Sequence, residues 1–290
     1  MLSLSKFFLF DNDILRKYRK DQKYFYLTHG CFPLKNTIGK ITVPNYVDFV
    51  LSPSGNVDNI IVKQFGLTSK EQCLHTGFPC HDIFYSKPEP LVFLSDYDKK
   101  IIWAPTFRKG GGYNRNDSTA SYPLGIPLLE TLDELANLNT YLSQRDIVLI
   151  VKLHPMQDIS DLELKQFSHI KFLTNQDLNR KNTNLYQLLM NSDALLSDYS
   201  AISYDYLHLD KPIGYVFSDL NDYKLGLSVD NVDDYIAGDK ILSFNNLLHF
   251  IDNIYLEIDK NKEKRKELFN KIFEKQDGES CERLAQIMEL

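Results

Sequence analysis

Short apolar runs rich in β-branched and aromatic residues recur along the chain. The stretches between them carry their apolar residues at helical spacing. The runs predict strands over Lys6–Phe10, Lys23–Leu27, Val47–Leu51, Ile101–Ala104, Asp146–Leu153, Ile170–Leu173, Ala194–Leu196 and Ile213–Phe217. Helices are predicted over Asn59–Phe65, Leu128–Leu142, Leu185–Asn191 and Ser203–Leu209. Strand alternating with helix predicts an α/β fold with parallel sheets and right-handed crossovers. Ligands of such folds bind beyond the carboxyl ends of the strands. The residues just after each strand are therefore where chemistry is expected.

Residues Phe84 to Asp98 hold Lys87-Pro88-Glu89-Pro90 and several charges, and read as a linker. That places a short N-terminal domain at 1–95 and a larger one at 96–290. Gly110-Gly111-Gly112 sits in a long polar stretch from Arg108 to Tyr122, which reads equally as an active-site loop or as an unstructured one. Lys260–Lys275 predicts a charged helix packed by one stripe, Leu268, Ile272 and Phe273. No internal repeat is visible.

Composition narrows the class. The 290 residues are 43% hydrophobic and 25% charged, enough for a packed core and unlike a disordered chain. Lys and Arg number 33 against 39 Asp and Glu, a formal charge of −6, which argues against a nucleic-acid partner. No apolar run approaches the ~20 residues that span a bilayer. Phe7 to Phe10 is too short for a leader core and ends at Asp11. A cytoplasmic protein is expected. Four cysteines are too few for a disulfide scaffold. Cys73, His75, Cys80 and His81 form a soft-ligand group, but their spacing matches no common zinc pattern and reads as a reduced loop. No metal or cofactor is expected.

The strand exits are the informative positions. After Tyr24–Leu27 come Thr28-His29-Gly30 and then Lys35; Gly30 allows a sharp turn that leaves the imidazole accessible for proton transfer. After Ile101–Ala104 come Thr106 and Arg108, and Arg offers a bidentate fork to a phosphate. Lys152 and His154 alternate on one side of the next strand, and Pro155 holds His154 extended. Ser197-Asp198-Tyr199-Ser200 reads as a strand-to-helix turn with Ser200 as N-cap, whose first amides form an anion site or are simply capped. Together the donors suit a diphosphate. A P-loop and a G-x-G-x-x-G are both absent. Ser200, flanked by Tyr199 and Ala201, lacks the G-x-S-x-G setting of a hydrolase nucleophile.

These residues resemble a known family. YFYLTHGCFPLK (Tyr24–Lys35) is similar to the W-H-G-x-P-x-K segment of CDP-glycerol glycerophosphotransferases, the teichoic acid and capsule polymer enzymes. GFPCHD (Gly77–Asp82) resembles their G-x-P-R-N-D, and IIWAPTFR (Ile101–Arg108) their I-L-Y-A-P-T-F/W-R. VKLHP (Val151–Pro155) resembles their L-H-P, and LSDYSAISYDYLHLDKP (Leu196–Pro212) their T-D-Y-S-S segment ending in K/R-P. FEKQDGESCER (Phe273–Arg283) looks like F-x-x-x-D-G-x-x-S/T-x-R. The resemblance implies a GT-B-like architecture, two Rossmann-like domains with parallel sheets facing a cleft. It implies transfer of glycerol phosphate from CDP-glycerol to a hydroxyl, releasing CMP. His29 matches the family's base for the acceptor hydroxyl and His154 the histidine at the donor pyrophosphate. Thr106, Arg108, Ser197, Asp198, Tyr199 and Ser200 fall on donor-side motifs, joined by Lys152 from its strand position; Gly30, Lys35 and Asp82 fall on the acceptor side.

The sequence departs from the family pattern at Thr28 (tryptophan), Cys80 (arginine), His81 (asparagine) and Ala201 (serine). Most of these lie on the acceptor side. Related enzymes use CDP-ribitol, so the donor is expected to be CDP-glycerol or CDP-ribitol. The acceptor is expected to be a saccharide or polyol-phosphate polymer, lipid-linked, with peripheral contact at the inner face of the cell membrane. The stretch before His29 is short, so the first domain is expected to be truncated. Two alternatives stay open: a nucleotide-sugar glycosyltransferase on the same scaffold, and a non-catalytic partner subunit.

Overall fold

The computed structural model describes residues 4–106, 124, 126–153 and 167–289. In chain order the strands and helices are β1 (Phe7–Phe10), β2 (Lys23–Tyr26), β3 (Phe49–Leu51), α1 (Asp58–Phe65), β4 (Cys73–Leu74), β5 (Lys99–Trp103), α2 (Leu132–Ser143), β6 (Ile147–Lys152), β7 (Ile170–Leu173), α3 (Asn175–Arg180), α4 (Leu185–Met190), β8 (Ala194–Ser197), α5 (Ile202–Asp205), β9 (Ile213–Val216), β10 (Asp239–Ile241), α6 (Phe244–Tyr255), α7 (Lys262–Ile272) and α8 (Ser280–Ile287). Among the described residues, every strand pairing within the two sheets is parallel, as strand–helix alternation predicts.

The chain packs as two units. The first comprises 1–87, 227–235 and 267–290; the second 88–226 and 236–266. The expected division at 95 into two consecutive domains is therefore corrected. The chain passes to the second unit at Lys87–Pro88, inside the Pro-rich linker, but returns to the first twice. The physical reason is cover for the first sheet, β1-β2-β3-β4. Its Phe25 packs against Leu284 of α8 and Met288 just after it, so the C-terminal helix completes the N-terminal core. On the other side of β2, Tyr24 lies against Phe8 (4.8 Å between ring centroids) and Phe10 (5.2 Å). Aromatic pairs at such separations contribute beyond simple area burial.

The second sheet runs β10-β9-β8-β5-β6-β7. From the β7 edge, this is order 3-2-1-4-5-6 by appearance, so the winding direction reverses between β5 and β8. All six residues of β6 are buried, as expected of a central parallel strand covered on both faces. Ile101, Trp103, Leu149, Val151, Ala194 and Leu196 pack with Leu135, Leu138 and Leu142 of α2 and Leu247, Phe250 and Ile251 of α6. The α2 start is fixed by a capping box, Thr131 accepting from the Glu134 amide while Glu134 accepts from Thr131.

Candidate active site

In an open parallel sheet the ligand crevice lies outside the carboxyl ends of the strands, where the winding reverses. Here that is the exit of β5 and β8. The two exits are locked together. The Thr106 amide donates to Asp198 Oδ2 (2.9 Å) and Thr106 Oγ1 to Asp198 Oδ1 (2.6 Å). Both residues are buried, so these hydrogen bonds to a carboxylate form in a setting of reduced screening. Asp198 thus fixes the backbone at the exit of β5. Arg108 and His154, and the stretch with Gly110-Gly111-Gly112, lie outside the described residues.

Beside β5, Lys152 ends β6 with its side chain buried, 6% exposed. Its ammonium donates to the Leu153 carbonyl (2.9 Å), and it makes no ion pair with any described residue. Burial pulls its pKa below the ordinary lysine range, and the negative charge of Asp177 only partly opposes this. At the end of β8 the Ser197 hydroxyl is fully buried and has no hydrogen-bond partner among the described residues. A buried lone cation and an unsatisfied hydroxyl are costly in isolation and are suited to an anionic, hydrogen-bonding ligand.

Two donor-side expectations change. Tyr199 is fully buried, stacked on Tyr223 (4.1 Å, 20°) and Phe217 (5.3 Å, 6°), with its hydroxyl on buried Asp219 (2.9 Å). It supports the turn from beneath instead of presenting its hydroxyl at the surface. Ser200 is not the side-chain N-cap. The helix it was expected to start is α5, four residues long, with Ala201 at the N-cap position and no side-chain cap bond. The Ser200 carbonyl instead accepts from the Ser203 amide (3.3 Å) and hydroxyl (3.0 Å). A single turn followed by 3-10 geometry over Tyr206–Leu209 has little dipole to offer, so side chains must carry more of any anion binding.

In the first unit, His29 is exposed beyond the end of β2. Its turn is unusual on both sides. Thr28 has φ +64° and Gly30 φ +151°, and the Thr28 hydroxyl donates to the Gly30 carbonyl (2.9 Å). A β-branched residue in the left-handed region is held there against its own preference, a pattern that concentrates at functional sites. Lys35, half-buried, forms an antiparallel bridge with Leu227.

Asp82, expected on the acceptor side, lies in the first unit with its carboxylate already engaged. Its carboxylate accepts from the amides of Ser280 (2.9 Å) and Cys281 (2.8 Å), capping α8. Partial burial pushes its pKa up, but the amides of Cys281 and Ser280 outweigh this and hold it below the usual carboxylate range. The four soft ligands do not converge. Cys73 is buried beside Asp58, which with burial pushes its thiol up to about 12. His75 pairs with Asp58 (3.0 Å) and His81 sits among Phe78, Phe84 and Phe273. No group of these four comes together as a metal site among the described residues.

Sequence reasoning missed the Asp58 node, a buried carboxylate that accepts from Ser52 Oγ (2.6 Å) and pairs with half-exposed His75. Nothing in the 17-residue separation of Asp58 and His75 announces it. It also missed Lys211, whose ammonium ties the carbonyls of Met190 (2.9 Å) and Ser192 (2.5 Å) and so explains the lysine of the K/R-P motif structurally.

Comparison with known proteins matches this chain over residues 1–290 to the family of CDP-glycerol:poly(glycerophosphate) glycerophosphotransferases. Among curated relatives, the teichoic acid ribitol-phosphate primase of Bacillus spizizenii is 30% identical over 228 residues, 74% of this chain and 52% of the relative. The teichoic acid glycerol-phosphate primase of Bacillus subtilis is 29% identical over 240 residues, 81% of this chain and 52% of the relative. The chain thus spans about half the length of these relatives. A histidine variant of the wall teichoic acid polymerase TagF shares the fold at TM-score 0.73 and 20% identity, covering 98% of this chain and 72% of that one. Among the described residues, no helix is long and apolar enough to cross a membrane.

Proposed function

Because the chain belongs to the CDP-glycerol:poly(glycerophosphate) glycerophosphotransferase family, we propose that it moves a polyol phosphate, glycerol phosphate or ribitol phosphate, from a CDP-activated donor to a hydroxyl of a teichoic-acid-type acceptor, releasing CMP. The observation that carries this reading is the locked β5–β8 exit, with Thr106 and Asp198 at the winding reversal of a Rossmann-like sheet. Buried Lys152 and the open hydroxyl of Ser197 add the cationic and hydrogen-bonding character a diphosphate needs.

In the proposed reaction Lys152, Ser197, Thr106, Ser200, Arg108 and His154 hold the diphosphate, with Asp198 positioning the Thr106 backbone. His29 accepts the proton of the acceptor hydroxyl. The oxygen attacks the β-phosphorus in line, the bond from that phosphorus to the bridging oxygen breaks, and the electron pair leaves with CMP. Positioning and charge neutralisation supply most of the acceleration, and a placed general base adds about 10²–10⁴. Gly30, in the turn with His29, and Lys35, in the segment that follows it, are the acceptor-side residues of this proposal. A lipid-linked acceptor met at the cytoplasmic face of the membrane belongs to the same proposal.

A donor screen tests the reading. CDP-glycerol or CDP-ribitol should raise the melting temperature and yield CMP once an acceptor is present, whereas UDP- and GDP-sugars should do neither. Stabilisation by a UDP- or GDP-sugar alone would favour glycosyl transfer, and no CMP release with any CDP donor and acceptor would reject the activity.

A further inference from the structure

The first unit contains a piece of chain that arrives from far along the sequence. Residues 227–235 belong to it, although the connection runs between β9 and β10 of the second unit. This piece is fastened to the segment that follows His29. Lys35 bridges to Leu227, and the Ser228 amide donates to the Leu34 carbonyl (2.9 Å). The ring of Phe32, fully buried, stacks on Tyr235 with centroids 5.5 Å apart and planes at 12°. The Lys271 ammonium lies 3.8 Å from the Tyr235 ring centroid and donates to the Asp234 carbonyl (2.9 Å). The Lys271 carbonyl in turn accepts from Ser54 Oγ (3.4 Å) and Asn56 Nδ2 (3.2 Å). Tyr235 thus joins the segment after His29 to α7 and the loop after β3.

The turn at His29 needs such an anchor. Thr28, β-branched and at φ +64°, holds a backbone conformation that persists only where the surroundings over-determine it. Upstream, the Leu27 amide donates to the Phe10 carbonyl (2.6 Å), so β2 fixes the entry. Downstream, residues 31–46 form no strand or helix beyond the Lys35 bridge, and the Thr37 amide donates to Gln64 of α1 (2.7 Å). We propose that residues 227–235 act as a strap that positions His29, with Tyr235 as its principal contact. The role in catalysis rests on the reading of His29 as the acceptor base. A displacement of about 1 Å can cost about a hundredfold in rate, so a held turn matters even though Tyr235 touches no reacting atom.

The test compares Tyr235→Ala and Tyr235→Phe in the full chain by amide exchange, donor affinity and turnover. Tyr235→Ala should speed exchange of residues 29–36 about tenfold while β3 and α8 keep their protection. Acceptor-dependent CMP release should fall about tenfold through kcat, donor affinity should stay the same, and Tyr235→Phe should restore both exchange and turnover. If Tyr235→Ala does not fold, Lys271→Met weakens the same contact and should speed exchange of 29–36 by about threefold. Unchanged exchange over 29–36, or a uniform rise across the unit, overturns the strap. A wild-type protein that releases no CMP rejects the proposed activity instead, and the exchange experiment still decides whether the strap holds the turn.

Discussion

Lys152 is the residue whose chemistry is most exposed to test. A lysine that is 6% exposed, with a single carbonyl acceptor and no ion pair among the described residues, costs stability when nothing offsets its charge. The same charge beside a diphosphate becomes an asset. Lys152→Met keeps the length of the side chain and removes the charge. It should leave the unliganded protein as stable or about 1 kcal/mol more stable, while weakening donor affinity about tenfold or more. Thermal denaturation with and without a CDP donor reads both. A lower melting temperature with unchanged donor affinity would make Lys152 a structural residue. The sequence shows Lys152 and His154 on one side of a strand exit, but not that Lys152 is buried. In the same way Asp198 is legible as a motif residue, whereas its partner Thr106 lies 92 residues earlier and meets it only through the pairing of β5 with β8.

At the scale of elements, two motifs that look like chemistry prove to hold each other. GFPCHD forms a 3-10 turn over Pro79–Tyr85, and DGESCER opens α8. Asp82 caps α8, Arg283 donates to the Thr76 carbonyl (2.9 Å) and pairs with Asp277, and Gly278, at φ +78°, brings its backbone so close to Tyr85 that a Cβ would lie 2.7 Å from the Tyr85 Cβ. The cap has a pH signature. The folded-state pKa of Asp82 is depressed, so its stabilisation is present above the unfolded pKa, near 4, and is lost as pH falls through the folded value. At neutral pH Asp82→Asn should cost about 0.5–2 kcal/mol. The gap to the wild type should narrow on acidification below about pH 4. A gap that is constant from pH 7 to pH 3 would mean the carboxylate charge plays no part. Sequence reading finds all eight of its strands, because buried parallel strands are continuous apolar runs. It misses β4 and β10, which have two and three residues, too few to show any period. It reads α7 as solvated apart from Leu268, Ile272 and Phe273. Arg265 also turns inward, 1% exposed, because Asp210 (3.1 Å) and Asp259 (2.6 Å) neutralise it, and neither partner can be read from helical periodicity.

For the whole molecule, the order of motifs along the chain does not map onto a first and a second domain. The last motif completes the first sheet, and the strap at 227–235 belongs there too. A linear reading cannot see this, since the apolar stripe of α8 says only that it must be buried, not against which sheet. What is legible is the fold class and the positions where strand exits carry polar side chains. The claim that these exits add up to a polyol-phosphate transferase is tested most directly by acceptor-dependent CMP release from CDP-glycerol and CDP-ribitol, wild type against His29→Ala. The account predicts CMP release by the wild type, and a loss of about 10²–10⁴ in His29→Ala with its melting temperature and donor affinity retained. A folded His29→Ala variant that releases CMP at the wild-type rate, or a wild-type protein that never releases it, would contradict the account.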